Sequence, residues 1–541
     1  MNSFLLFSHI LLLLPLLTLG SPLSTNGRWI VDESGRRVKL ACVNWASHLD
    51  AMVTEGLNKQ PVDAITAKVA SLGFNCVRLT YATYMTAHQD YLYLTVRQSL
   101  LKNGLKEAVD GILLHNPNII DLPLIEAFKA VIQSLEKNNI MVIMDNHVSK
   151  PQWCCSGTDG NGFFGDEYFD PAQWEMGLSN MARFFSLSPN VIAMSLRNEL
   201  RGPRQNVQDW YKYMKSGAEA IHGANPKLLV ILSGLSFDND LSFLQQKQVD
   251  LSFQRKLVYE VHWYSFTNSG IWSNGDLNEV CSQRTYKMMR KAGFLLDQGF
   301  PLFLGEFGID QRGVNMEDNR YLPCVLSLAA DLDLDWALWS LQGSYYTREG
   351  THDMEETYSV LSFDWSQFRN VTMLRIISSI QTPLTGPGLD QVPAYKMLYH
   401  PLTGRCVLRG NTGKDVVTGR CLKSEAWIYD NGNLALHGTN SSCLQTDGEG
   451  KLAILGTDCS GIASKWDMIS ATKMQFSSKV QGPSRRPLCL DIGPNGRSLV
   501  TNACKCFTGN QLCDPETQWF KLVKSTRILT DEKSTIDGLM P

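Results

Sequence analysis

Between residues 28 and 400 the chain repeats one rhythm: a short apolar or β-branched run, a helical or irregular stretch, then another run. The runs fall at 38–45, 76–81, 141–147, 191–198, 228–233, 257–264, 301–306 and 334–339. Several are continuous rather than alternating, as parallel strands buried on both faces are. Apolar residues at helical spacing fill the gaps, most clearly over 121–138 and 171–185. Eight such units predict an α/β protein built on a (β/α)8 TIM barrel. The rival, an open doubly wound sheet, would carry a glycine-rich phosphate turn after its first strand, and none stands there. The stretch from Tyr81 to Met141 is longer than one helix needs. Its extra length is expected to border the active face, with Tyr91, Tyr93 and, further on, Trp153 as groove or cluster aromatics.

Near residue 400 the pattern changes. Helical periodicity fades, glycine and cysteine rise, and the apolar runs shorten. Trp427, Trp466 and Trp519 recur at spacings of 39 and 53. Cys443-Leu444-Gln445-Thr446-Asp447 echoes Cys489-Leu490-Asp491-Ile492 between them. Repeats of this length with turn glycines suggest a small three-fold all-β domain, each tryptophan buried in a shared core. The expected division is a signal peptide over 1–20, a barrel over 21–400, a small β domain over 401–525 and a tail over 526–541.

Composition narrows the function classes. The chain has 541 residues, 44% of them hydrophobic, enough for a large core in more than one domain. Its net charge of -3 and lack of a basic block argue against a nucleic-acid partner. The leucine-rich run from Phe4 to Leu19, followed by Gly20-Ser21, reads as a cleaved signal peptide. No later run is apolar enough for a membrane span, so a secreted, extracellular or cell-wall protein is expected, most simply a monomer. The 14 cysteines agree: eight lie between Cys406 and Cys513, a density that fits disulfides in an oxidising compartment. Zinc is disfavoured because Cys504-Lys505-Cys506 is too closely spaced and lacks a neighbouring histidine. Spacing suggests a Cys443–Cys459 pair. Cys154 and Cys155, being adjacent, are expected not to bond to each other. Asn370-Val371-Thr372 and Asn440-Ser441-Ser442 are glycosylation sequons.

The chemistry gathers where the predicted strands end. Arg78 ends the second, Asp145-Asn146-His147 the third, Asn198-Glu199 the fourth, His262 and Tyr264 the sixth, Glu306 the seventh and Trp339 the eighth. In a barrel these positions share one rim, and catalytic residues come from that rim. Two carboxyls facing each other there suit glycoside hydrolysis, in which one gives a proton to the leaving oxygen and the other faces the anomeric carbon. Asn198 can bond a sugar hydroxyl, and Arg78 can hold a neighbouring carboxylate ionised. Tyr264 can bond that same carboxylate, His262 can hold or tune the acid's proton, and Trp339 can lie beneath the sugar. A metal site of His147, His262, Glu199 and Glu306 is the chemical rival. It lacks any metal-binding spacing and draws its ligands from four separate strands, so no metal or other cofactor is expected. A serine nucleophile is a weaker rival still, for there is no Gly-x-Ser-x-Gly elbow.

These segments resemble glycoside hydrolase family 5, the plant cellulase-like members especially. Arg197-Asn198-Glu199-Leu200 is similar to that family's acid/base segment, and Leu304-Gly305-Glu306-Phe307-Gly308 to its nucleophile segment. The resemblance covers about 28–395. It implies catalytic Glu199 and Glu306, with Arg78, His147, Asn198, His262, Tyr264 and Trp339 as substrate-binding residues. It also implies retaining, metal-free hydrolysis of β-linked glucans or mannans of the plant cell wall. Residues 401–525 resemble a ricin-type lectin β-trefoil. None of the three tryptophan segments has that family's Gln-x-Trp, and Asp447 and Asp491 stand near where a second sugar site would be. The alternative function is a secreted, lectin-like carbohydrate-binding protein with an inactive barrel.

Overall fold

The computed structural model describes residues 22–389, 392–438, 442–481, 486–507 and 513–528. The signal-peptide reading, the Asn440 sequon and most of the tail lie outside these residues. Eight parallel strands close into a barrel: β1 (Ala41–Trp45), β2 (Cys76–Ala82), β3 (Met141–Val148), β4 (Val191–Ser195), β5 (Leu229–Ser233), β6 (Leu257–His262), β7 (Leu302–Phe307) and β8 (Asp335–Leu338). β8 closes on β1 through Trp336–Ala41 and Leu338–Val43 pairs. Every predicted strand is present. The fourth and sixth stop earlier, at Ser195 and His262, and the chain beyond them leaves the sheet ladder.

Helices α1 (Val62–Ser71), α2 (Leu124–Lys137), α3 (Pro171–Phe184), α4 (Val207–Ala224), α5 (Leu277–Met288), α6 (Met316–Asp331) and α7 (Val371–Ile377) pack around the strands. α3 starts where Asp170 caps the amide of Gln173 and Pro171 fills the first position. α4 lies close to α3 because Gly217 has no side chain: a Cβ there would sit 2.4 Å from the Trp174 ring. The fifth crossover carries no long helix. It runs through a turn, Leu235–Asp238, and a short 3-10 segment, Ser242–Gln245. The stretch between β2 and β3 adds further helices, and Tyr91 packs there against Tyr84 and His88.

The barrel's lower end is held by a buried ion cluster. Asp333 accepts from Arg37 Nη1 and Lys39 Nζ, both at 2.8 Å, and from the amides of Leu384 and Thr385. Burial disfavours its charge, but Lys39 and Arg37 outweigh this and hold its pKa down at about 2. The cluster ties the start of the chain to the segment leaving the barrel.

All 14 cysteines are paired. Cys443–Cys459 pairs as its spacing suggested. The expectation against a Cys154–Cys155 bond is corrected. These neighbours are bonded through their sulfurs across a cis peptide, with Cα atoms 3.0 Å apart, so adjacency does not prevent the bond.

The second, all-β unit consists of two antiparallel sheets. Its strand Tyr395–His400 pairs with Lys521–Ser525, Arg405–Arg409 and Trp427–Asp430, so this pairing starts ahead of the boundary drawn at 401. Trp427 and Trp466 lie in the unit's own core with Phe520. Trp519 departs from the shared-core expectation. It is buried against the barrel, where its indole donates to Asn278 Oδ1 of α5 at 3.0 Å.

Replacing Asp333 by Asn keeps its shape but strands two buried cations. Denaturant unfolding should show a loss of about 3–5 kcal/mol. Because the folded pKa is depressed, the native contribution is complete above the ordinary value of 3.8 and disappears as pH falls through about 2. The loss should therefore be largest at neutral pH and shrink in strong acid.

Candidate active site

At the carboxyl ends of the strands lies a cleft of about 920 Å³. His147, Asn198, Glu199, His262, Tyr264, Glu306 and Trp339 line it. Arg78 lies beneath, wholly buried, and reaches the cleft through the groups it holds. Trp153 lines the cleft as well. Tyr93 is 84% exposed and, with Tyr91, belongs to the β2–β3 excursion rather than to the cleft wall. The wall comes instead from the segments after β3 and β8 and from the flank of α5.

Arg78 organises the floor. Nη1 donates to Asn44 Oδ1 and Glu306 Oε1, both at 2.9 Å. Nη2 donates to Asp145 Oδ1 at 3.0 Å and Asn198 Oδ1 at 2.9 Å. Nε lies 3.0 Å from Glu260 Oε1. Burial favours loss of its proton, but Asp145, Glu260 and Glu306 more than compensate, so its pKa is raised and the cation is fixed. Glu260 also accepts from Ser195 Oγ at 2.6 Å. Burial works against its charge, but Arg78 and His262 hold its pKa below the ordinary value.

The two glycines of the Leu304–Gly308 segment have steric reasons. A Cβ on Gly305 would stand 1.8 Å from Glu260 Oε1, and one on Gly308 would stand 2.3 Å from the Trp339 carbonyl oxygen. They let β7 approach its neighbours closely enough for Glu306 to meet Arg78. Its second oxygen, Oε2, accepts from the Tyr264 hydroxyl at 3.0 Å.

Glu199 is positioned differently. β4 has ended, and Asn198 N donates to Asn146 O at 2.9 Å. Glu199 then takes φ +45°, a left-handed conformation that costs a non-glycine residue about 1–3 kcal/mol. Asp238 Oδ2 accepts from its amide at 3.0 Å, and Arg201 Nη1 donates to its carbonyl at 2.8 Å. Asp238 ends a run in which Ser236, Phe237 and Asp238 are all left-handed. The degenerate fifth crossover thus delivers a buried carboxyl under the Glu199 backbone.

His262 stands between the two glutamates. Nδ1 is 2.9 Å from Glu199 Oε1 and 3.7 Å from Glu306 Oε2, and Nε2 is 3.5 Å from both Glu260 and Asp238. Burial alone would keep it neutral, but these carboxyls raise its pKa well above the usual value and keep it protonated. His147 is the opposite case. Burial and the charge of Arg78 lower its pKa, so it is neutral. Its Nδ1 then donates to Asp145 Oδ2 at 2.6 Å, leaving Nε2 to accept from Asn198 Nδ2 at 3.4 Å. Its ring stacks near Trp339, at 5.8 Å and 20°.

A carboxyl oxygen of Glu199 and one of Glu306 lie within 4.8 Å of each other. This is the short spacing of double displacement rather than the wider gap that inversion needs. Burial raises the Glu306 pKa to about 7, against the pull of His262 and Arg78 and with the help of Glu199. The same three side chains, Glu199, His262 and Glu306, could by distance hold a cation. Their donor set is already engaged, because both Glu306 oxygens accept hydrogen bonds and His262 carries a proton, so the trio fits a metal poorly.

Glu260, Asp238 and Asn44 are the site groups that sequence reasoning missed. Glu260 had a signal, for Glu260 and His262 alternate on one face of a strand and so point the same way. Asp238 had none, since its place depends on a left-handed turn.

A (β/α)8 barrel with two closely facing glutamates on its carboxyl rim is the framework of a retaining glycoside hydrolase. Residues 31–344 match the model of the family described as Cellulase (glycosyl hydrolase family 5). The chain is 46% identical over 527 residues to a glycosyl hydrolase 5 family protein of Chamaecyparis obtusa, covering 94% of each chain. It is 22% identical over 338 residues to an endoglucanase of Paenibacillus polymyxa, covering 59% of this chain and 79% of that one. A solved hyperthermophilic endocellulase of Pyrococcus horikoshii shares the fold, with TM-score 0.55 and 18% identity over 67% of this chain and 99% of that one. The chain belongs to glycosyl hydrolase family 5. It is an O-glycosyl hydrolase, a retaining β-glycosidase.

Two measurements probe this geometry. kcat/KM should fall as pH drops through about 7, where Glu306 takes up a proton; a fall centred on the ordinary glutamate value of 4.5 would contradict the effect of burial. Gly305→Ala should push Glu260 away from Arg78. Stability should drop by about 1–3 kcal/mol and kcat should fall more than KM changes, as seen by denaturation and steady-state kinetics.

Proposed function

We propose that the protein is an endo-acting hydrolase of β-linked glucans, with Glu306 as nucleophile and Glu199 as acid and base. The observation that carries this is the unequal environment of two close carboxyls. Glu306 receives Arg78 on one oxygen and Tyr264 on the other, while Glu199 meets His262 and is the more open to the cleft. Glu306 attacks the anomeric carbon as Glu199 gives its proton to the leaving oxygen, forming a covalent glycosyl-enzyme. Glu199 then takes a proton from water, which releases the sugar with its configuration kept. Asn198 and His147 face the sugar hydroxyls, and Trp339 supports the ring. The endoglucanase and endocellulase names of the relatives favour glucan over mannan as the backbone.

We also infer that the all-β unit is a ricin-type β-trefoil. Three disulfides, Cys406–Cys421, Cys443–Cys459 and Cys489–Cys504, close loops of nearly equal sequence separation, 15, 16 and 15, one per repeat. Asp491 is buried and accepts from Asn502 and Gln518, which commits it to the unit's interior. Asp447 is exposed and is the acid available to a second sugar site. The leucine-rich segment over 4–19 and the full pairing of the cysteines support a secreted, extracellular protein.

Soluble β-glucans and mannans incubated with the wild type should gain reducing ends fastest with a glucan, and proton NMR of the first product should show the β anomer. Glu306→Ala and Glu199→Gln should each lower kcat on glucan by about 10³-fold or more without loss of fold by circular dichroism. Folded wild type inert on every β-glycan, or an α first product, would overturn the proposal.

A further inference from the structure

The segment leaving β3 brings Trp153-Cys154-Cys155 into the wall of the cleft, and all three residues line it. Trp153 is clamped by the Arg348 guanidinium, 3.5 Å over its ring, and meets the edge of Tyr345 at 5.6 Å. The two cysteines are bonded to each other. Asn198 Nδ2 lies 3.6 Å from each sulfur. A Glu199 carboxyl oxygen lies within 4.8 Å of both.

The other six disulfides join residues 7 to 43 apart in sequence and close loops. Cys154–Cys155 has a separation of one, so it closes no loop and gains almost nothing from restricting the unfolded chain. Its value must lie in the surface it makes. Two bonded sulfurs have no hydrogen-bond donor to satisfy and are polarizable, so they suit an apolar partner with good dispersion contact. A pyranose ring offers such a partner in its face of C–H groups. Because the sulfurs are bonded, they are not thiolates, and the Cys154, Cys155, Glu199 trio is not a metal seat.

Position fixes which ring. Under the functional reading above, on which this inference rests, Glu306 faces the anomeric carbon and Glu199 faces the glycosidic oxygen. A surface beside Glu199 therefore borders the departing sugar. We propose that the Cys154–Cys155 disulfide, with Trp153, is the wall against which the leaving-group sugar rests. It orients the glycosidic oxygen toward Glu199 and keeps water from that side of the acid. Disulfide and tryptophan together are specificity-determining for the leaving group.

The test compares two substrates that share a donor side. Cellotetraose leaves as a sugar, whereas β-cellobiosyl fluoride has a leaving group with no ring. The Cys154→Ala/Cys155→Ala double variant should lose about tenfold in kcat/KM on cellotetraose, the size of one lost apolar contact surface, and change less than about twofold on the fluoride. Equal loss on both, or none on either, would overturn the proposal while leaving the hydrolase reading standing. Wild type inert toward both would remove that reading and this inference with it. A second measurement does not depend on the variant folding. In Glu199→Gln, saturating cellotetraose should slow reduction of Cys154–Cys155 by a soluble phosphine about tenfold, followed by alkylation and peptide mass spectrometry, with the other six disulfides as internal references. An unchanged rate would overturn the wall.

Discussion

One buried guanidinium holds the site together. Arg78 stands on β2 yet touches groups from β1, β3, β4's exit, β6 and β7: Asn44, Asp145, Asn198, Glu260 and Glu306. A cation with no access to water is tolerable only if its charge is matched and its donors are used. Here the matching carboxyls are also the groups, or the supports of the groups, that line the cleft. Arg78 sets the direction of Glu306, orients the Asn198 amide and fixes Asp145, which in turn fixes the tautomer of His147. Losing it would leave several carboxyls buried together. The electrostatics of the floor and the geometry of the rim are one arrangement.

The second constraint is steric. Gly305 and Gly308 flank Glu306 because β7 must pass Glu260 on one side and the Trp339 backbone on the other. Glu199 has no glycine beside it and instead sits in a left-handed conformation held by Asp238 and Arg201. Each glutamate is thus placed by backbone means, one by missing side chains and one by a strained residue clamped at both ends. That fits a reaction in which the reacting atoms must lie close before chemistry begins. A charged group on a loose rotamer would give up much of that advantage.

How far the sequence alone reaches follows from the same physics. The eight strands were legible because strands buried on both faces are nearly pure apolar runs, and the rim was legible because polarity returns where each run ends. Asp145 and His147, like Glu260 and His262, lie two apart on one strand, and that period shows which polar residues point inward. What stayed hidden depends on contacts across the chain. Asp238 reaches the site through a turn with no motif, and the β2–β3 excursion proved to be packing rather than cleft. The bond between Cys154 and Cys155 depends on a backbone geometry that spacing arguments do not contain. Trp519 was foreseen as buried, but its partner is Asn278, 241 positions away.

That partner shows why the second unit is more than an appendage. Asn278 near the start of α5 accepts from the Trp519 indole and donates to Gln475 Oε1, while Gln475 donates to Gln518. Arg320 on α6 pairs with Asp514 at 2.9 Å, and Lys521 with Asp331 at 2.8 Å. α5 and α6 are themselves joined by Cys281–Cys324. These two helices flank β7, which carries Glu306, and α5 supplies part of the cleft wall through Arg284, Lys287 and Met288. The buried amide contacts are directional and satisfied, so they fix the register between unit and barrel rather than merely adding apolar area. The all-β unit therefore braces the two helices behind the strand that carries Glu306.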